Sequence, residues 1–72
     1  MAVRSDPLIR KLIEKLDDAD PIVRRNAAGA LGMQGARAVE AVPALSARAD
    51  DPDPRVRQEV ELVLDRLKLI GV

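Results

Sequence analysis

One acidic segment that decides the fold occurs twice in this chain. The first copy reads Asp17-Asp18-Ala19-Asp20-Pro21-Ile22-Val23-Arg24, and the second reads Asp50-Asp51-Pro52-Asp53-Pro54-Arg55-Val56-Arg57. The two copies lie 33 residues apart, and six of their eight positions are identical. A fixed period of this length is typical of helical repeat proteins. Two units of this length fill almost all of the 72-residue chain.

Each unit predicts two helices, and Asp-Pro pairs mark where three of the four begin. An aspartate side chain accepts hydrogen bonds from the free N–H groups of a first turn, and proline fits that turn because it has no N–H to satisfy. The sequence therefore predicts N-caps at Asp6, Asp20 and Asp53. Apolar residues then follow at helical spacing. The predicted inward positions are Leu8, Ile9, Leu12, Ile13 and Leu16, then Val23, Ala27, Ala30, Leu31 and Gln34, then Val39, Val42, Leu45 and Ala49, then Val56, Val60, Val63, Leu64 and Leu67.

The third helix is predicted over about residues 36–49, with Pro43 inside it. A proline inside a helix removes one backbone hydrogen bond and clashes with the preceding turn, so we expect a kink or a break there. Gly35 and Gly71 are expected to end the second and fourth helices. The chain has no alternating strand pattern, which predicts an all-α fold. We expect a single domain over residues 1–72, with one repeat over about 6–35 and another over about 36–72.

Three segments together resemble a known family. They are the motif at residues 18–24, the alanine-rich run at 27–32 that ends in Ala-Leu-Gly, and Glu-Ala-Val-Pro-Ala-Leu at 40–45. These residues are similar to HEAT repeats, in particular to the bacterial PBS-lyase HEAT-like subgroup. The resemblance implies two HEAT-like helical hairpins, stacked as a short right-handed α–α superhelix of four helices. Residues 60–65 depart from the alanine-rich pattern, as expected of a terminal repeat.

The resemblance also implies an ion-pair ladder between neighbouring repeats. Carried over by position, the ladder would pair Asp18 with Arg24 and Asp51 with Arg57. The acidic clusters lack the spacing and the glycine of a calcium loop, so we interpret them as helix caps and ion-pair partners rather than as a metal site.

The composition excludes several classes of function. The chain has no Cys, His, Phe, Tyr, Trp or Thr. It therefore lacks the residues of Cys- or His-based metal sites, of the usual nucleophile–base pairs and of aromatic platforms for bases or sugars. Lys plus Arg and Asp plus Glu each number 12, so the zero net charge argues against nucleic-acid binding. We expect no catalytic residue and no cofactor.

The outer face of the second helix in each unit is the best candidate binding surface, because in HEAT-type stacks these helices line the concave face. Gly32 and Asp65 belong to the same predicted face. The residues predicted to bind a partner are Arg25, Asn26, Gly29, Met33, Gln58, Glu59, Leu62, Arg66 and Leu69. Gly29 either is tolerated inside the helix without a role or allows another group to approach the helix closely, and we favour the first interpretation.

The expected function is a non-catalytic protein-interaction module with another protein as partner. An accessory subunit of a PBS-lyase-like complex, with the chemistry elsewhere, is the alternative. Self-association is a further hypothesis, because two repeats are a short stack and Leu62, Leu69 and Ile70 are apolar. The alternative for these leucines is a last helix buried on two sides. No membrane segment is expected, and the expected location is the cytoplasm.

Overall fold

The computed structural model describes residues 6–71, and within this range it contains helices and no strand. The elements are α1 (Pro7–Lys15), α2 (Pro21–Met33), a 3-10 helix (Gly35–Ala41), α3 (Val42–Ala47) and α4 (Pro54–Leu69). We call α1 with α2 the first hairpin, and the 3-10 helix with α3 and α4 the second hairpin. The predicted all-α, HEAT-like hairpin fold is confirmed.

Three of the four α-helices begin in the same way. Asp6, Asp20 and Asp53 have extended backbones, and a proline follows each of them. Each aspartate side chain accepts a hydrogen bond of 2.8–2.9 Å from the backbone N–H two residues later. These caps fix where α1, α2 and α4 start, and so fix the register of their apolar faces.

The helix expected over about 36–49, with a kink or a break at Pro43, is divided just before this proline. The segment forms a 3-10 helix as far as Ala41, and α3 begins at Val42 with Pro43 in its first turn. A proline is compatible with a first helical turn and incompatible with a helix interior, so the α-helix starts just before this residue instead of running through it. Gly35, with a φ of 60°, separates α2 from this segment.

The break changes which residues point inward. Val39 was predicted to be inward but is 55% exposed, while Ala38 and Ala41 are fully buried. A 3-10 helix has three residues per turn rather than 3.6, so its buried face follows a different spacing. Ala49 is also exposed, because it lies beyond the end of α3. Leu8, predicted to be inward, is 46% exposed.

One core joins both hairpins, and the contact between α2 and α4 is its most extensive part. Partly buried Ile13, Ala30, Val42, Ala44 and Leu64 pack against this core. The buried apolar residues are Ile9, Leu12, Leu16, Ala27, Ala28, Leu31, Ala38, Ala41, Leu45, Val56, Val60, Val63 and Leu67. Within residues 6–71, no helix combines the length and the apolar character that crossing a membrane requires.

Candidate functional site

Two glycines of α2, Gly29 and Gly32, face side chains of α4. A Cβ atom added at Gly32 would be 2.9 Å from a methyl carbon of Val63, and one added at Gly29 would be 3.1 Å from a carboxylate oxygen of Glu59. Gly32 is buried, so its assignment to the outer face is wrong. Gly29 is half-buried, and what lies over it is the flexible end of the Glu59 side chain.

Most of the predicted binding residues meet at this helix pair. Six of the nine line one shallow groove between α2 and α4, which we call the α2–α4 groove: Arg25, Asn26, Gly29, Met33, Glu59 and Arg66. The other three lie elsewhere on α4. Gln58 lines a different cleft, and Leu62 and Leu69 are exposed without lining either cleft.

The α2–α4 groove combines charge with an apolar side chain. Arg25 and Arg66 bring two cations to it, Glu59 brings one carboxylate, and Arg25 donates a 3.2 Å hydrogen bond to the side-chain oxygen of Asn26. Met33 is 78% exposed at the same place. This arrangement can hold a carboxylate beside an apolar group. Among residues 6–71, no group of three or more acidic side chains is placed to hold a metal ion.

A buried ion pair crosses between the hairpins on the opposite side of α2. Arg24 donates to both carboxylate oxygens of Asp51, through Nε at 2.8 Å and Nη2 at 3.0 Å. The Asp51 side chain is fully buried, and that of Arg24 is 10% exposed. The hydrogen bond from Arg24 outweighs the effect of burial and lowers the pKa of Asp51, while the same bond raises the pKa of Arg24.

The partners predicted for this ladder are therefore wrong, although its residues lie together. Arg24 contacts the backbone of its own unit, where Nη1 donates to the carbonyl oxygens of Asp18 and Ala19 at 2.7 and 3.1 Å. Arg57 repeats this geometry and donates to the carbonyl oxygens of Asp51 and Pro52 at 2.7 and 3.2 Å. Within a unit the arginine reaches backbone carbonyls, and the carboxylate partner comes from the next unit.

A second cation in the ladder, Arg48, is not among the residues predicted from the sequence. Arg48 joins the hairpins by donating to Asp17 at 2.6 Å and to Asp51 at 3.3 Å. A signal was present, because the 33-residue offset places Arg48 at the position of Lys15, so both units carry a cation there. Arg48 follows α3 and is half-buried, which suits a contact with the loop of the first hairpin.

Two of the capping aspartates also form ion pairs. Asp6 accepts from Arg37, and this bond is the main cause of a lowered pKa at Asp6. Asp53 accepts from Arg55 at 2.8 Å, which lowers the pKa of Asp53 and raises that of Arg55. These aspartates therefore act as caps and as ion-pair partners at once.

A second cleft, of about 820 Å³, lies on the outer side of α3 and α4, and we call it the C-terminal end cleft. Its apolar lining includes Val42 and Leu64, and its rim carries Arg57, Glu61 and Lys68. In the first hairpin, the equivalent side packs against α4. In the second hairpin, that side carries the C-terminal end cleft.

In a comparison with protein-family models, residues 9–69 match a family described as HEAT repeats. The chain belongs to the HEAT-repeat family. HEAT repeats generally serve as protein-interaction scaffolds, and the family is typically non-enzymatic. No curated protein and no solved structure gives a significant match to the chain.

Proposed function

We propose that this HEAT-repeat chain is a non-catalytic interaction module that binds another protein through the α2–α4 groove. We also propose that residues 1–72 form one domain with repeats over about 6–35 and 36–72, and that the protein is cytoplasmic. The observation that carries it is the convergence of Arg25, Met33 and Arg66 on one groove, where a cation pair borders an exposed apolar side chain.

The groove indicates what its partner presents. Exposed Met33 offers an adaptable apolar contact, because methionine is flexible and polarizable. Arg25 and Arg66 can donate paired hydrogen bonds to a carboxylate. Glu59 lies over Gly29 and disfavours a second acidic group at that point. A segment with one acidic residue next to one or two large apolar residues therefore fits the groove best.

A selection of random displayed peptides against the immobilised chain tests this proposal. The expected ligands carry an acidic residue beside apolar residues, and they lose binding to the variants Arg25→Glu and Met33→Asp. Arg10→Glu is the matched control, because Arg10 is exposed on α1 and does not line the groove. Ligands that bind both groove variants as well as the original chain would place the binding surface elsewhere and overturn the proposal.

The alternative is an accessory role in a PBS-lyase-like complex, with the chemistry on another subunit. It is supported by the sequence resemblance at residues 18–24, 27–32 and 40–45 to that subgroup. It predicts that the chain binds a catalytic subunit and raises its activity. A chain that binds acidic–apolar peptides through the groove and leaves such an enzyme unchanged favours the general interaction module.

A further inference from the structure

We propose that the C-terminal end of one copy of this chain binds the N-terminal end of a second copy, so that the ion-pair ladder continues from copy to copy. The contact uses the two ends of the stack and not the α2–α4 groove. It therefore goes beyond the proposed function and does not depend on it.

The two ends of the stack carry an arginine and an aspartate that are equivalent to a pair inside the chain. Between the hairpins, an ion pair joins Arg24 to Asp51, and we call each such ion pair between units a rung of the ladder. The 33-residue offset places Arg57 at the position of Arg24 and Asp18 at the position of Asp51. A rung between copies would therefore join Arg57 of one copy to Asp18 of the next.

The backbone holds these end residues in the same way as their paired equivalents. The Asp18 and Asp51 carboxylates each accept a 2.9 Å hydrogen bond from the N–H two residues later. Arg57 and Arg24 each use Nη1 on two backbone carbonyls. Within residues 6–71, Asp18 and Arg57 form no ion pair, so their remaining hydrogen-bonding atoms are available to a second copy.

A second rung has the same relation. Arg48 joins the second hairpin to Asp17 in the first. The offset maps this pair onto Lys15 at the N-terminal end and Asp50 at the C-terminal end, and both are exposed. In a contact between copies, the positive charge of Lys15 and the negative charge of Asp50 would attract each other. The Arg37–Asp6 pair is not continued, because Val39 stands at the position of Asp6.

The apolar surfaces also correspond. Val42 and Leu64 line the C-terminal end cleft, and their equivalents Ile9 and Leu31 are fully buried. The N-terminal end presents Leu8, which is 46% exposed, while its equivalent Ala41 is fully buried. Each end therefore shows apolar positions that become buried where two units meet.

The contact between copies differs from the internal one in polarity. Glu61 and Asp65 replace Ala28 and Gly32 at the C-terminal end. In the internal contact, Val63 lies against Gly32. In the contact between copies, Ala30 takes the position of Val63, and because alanine is smaller it leaves space for the Asp65 side chain. Moving the Glu61 and Asp65 carboxylates out of water costs free energy, so the contact is weaker than the internal one. The ion pairs between copies make it sensitive to salt. Because the contact joins unlike surfaces, it produces open-ended oligomers or closed rings and not a two-fold dimer.

Sedimentation velocity over a wide concentration range tests the proposal, with interference detection because the chain has no aromatic residue. The mass of the original chain should rise with concentration and fall with added salt. Arg57→Asp and Asp18→Arg should each weaken self-association by about ten-fold or more, because each places like charges opposite one another. An equal mixture of the two variants should recover the association, because opposite charges then face each other at every contact.

Arg10→Asp is the control, since it makes the same charge change at an exposed position that lines neither the end cleft nor the α2–α4 groove. Circular dichroism checks that each variant is folded. If either variant unfolds, Lys15→Glu and Asp50→Lys make the same mixing test through the second rung. A monomer up to millimolar concentration would overturn the proposal. So would association that Arg57→Asp leaves unchanged, or single variants whose mixture remains as weakly associated as each alone.

Discussion

The two hairpins share a helix-start motif, but the environment of that motif differs between them. In both, the motif arginine donates to two backbone carbonyls of its own loop. Arg24 also has a buried carboxylate partner in the other hairpin, whereas Arg57 has none within residues 6–71. The motif therefore fixes the conformation of the loop, and the neighbouring unit determines how much the same residues contribute to stability.

The largest expected difference is between two equivalent leucines. Leu31 is fully buried, while Leu64 is half-buried on the end cleft. Leu31→Ala should reduce the free energy of unfolding by about 3 kcal/mol, because it removes buried surface and leaves a cavity. Leu64→Ala should reduce it by only about 1 kcal/mol, because water already reaches that position. Urea unfolding followed by circular dichroism measures both, and equal losses would contradict the comparison.

The acidic residues of the two units should differ next. Asp51→Asn should cost about 2 kcal/mol of unfolding free energy, because it leaves the buried Arg24 charge without a carboxylate. Asp18→Asn should have little effect, because an asparagine oxygen still accepts the hydrogen bond from the Asp20 N–H. The same unfolding measurement checks this pair. A larger loss at Asp18 would mean that the ladder follows the pairing expected from the sequence.

The pH dependence of stability should reflect the same ion pair, between Arg24 and Asp51. Folding lowers the pKa of Asp51, chiefly through the hydrogen bond from Arg24. The ionised form is therefore favoured in the folded state, and its contribution is complete above about pH 5 and lost as the pH falls through the lowered pKa. The original chain should lose more unfolding free energy between pH 5 and pH 2 than Asp51→Asn does. Parallel curves for the two proteins would contradict this assignment.

The smallest expected effects separate the two glycines of α2. An alanine methyl group at Gly32 meets the branched side chain of Val63, so Gly32→Ala should destabilise the chain by about 1 kcal/mol. At Gly29 the methyl group meets the flexible end of Glu59, which can turn away. Gly29→Ala should then stabilise the chain by up to about 1 kcal/mol through helix propensity. Thermal unfolding measures both, and changes of the same sign would show that the two contacts are alike.

Local sequence rules predicted the features that depend on a single helix. The Asp-Pro starts at Asp6, Asp20 and Asp53 need no information beyond their own first turn. The apolar spacing of α4 likewise identifies Val56 and Val60 as core residues.

Features that depend on two elements could not be predicted in this way. The rule that predicts a kink or a break at Pro43 does not choose between them, and the structure shows a 3-10 helix followed by a separate α-helix. The partner of Arg24 depends on how the hairpins stack, which no spacing within one unit reveals. The predicted core positions of α2 place Gly32 on the opposite, outer face, and the position of α4 determines which part of the helix is covered.

A pair of double-mutant cycles tests most directly the claim that the ladder joins the two hairpins. One cycle combines Arg24→Gln with Asp51→Asn, and the other combines Arg57→Gln with Asp51→Asn. Each compares the unfolding free energies of the single and double variants, which isolates the coupling between the two side chains. The structure predicts a coupling for Arg24 with Asp51 several times larger than that for Arg57 with Asp51. Equal couplings, or a larger one for Arg57, would contradict the account.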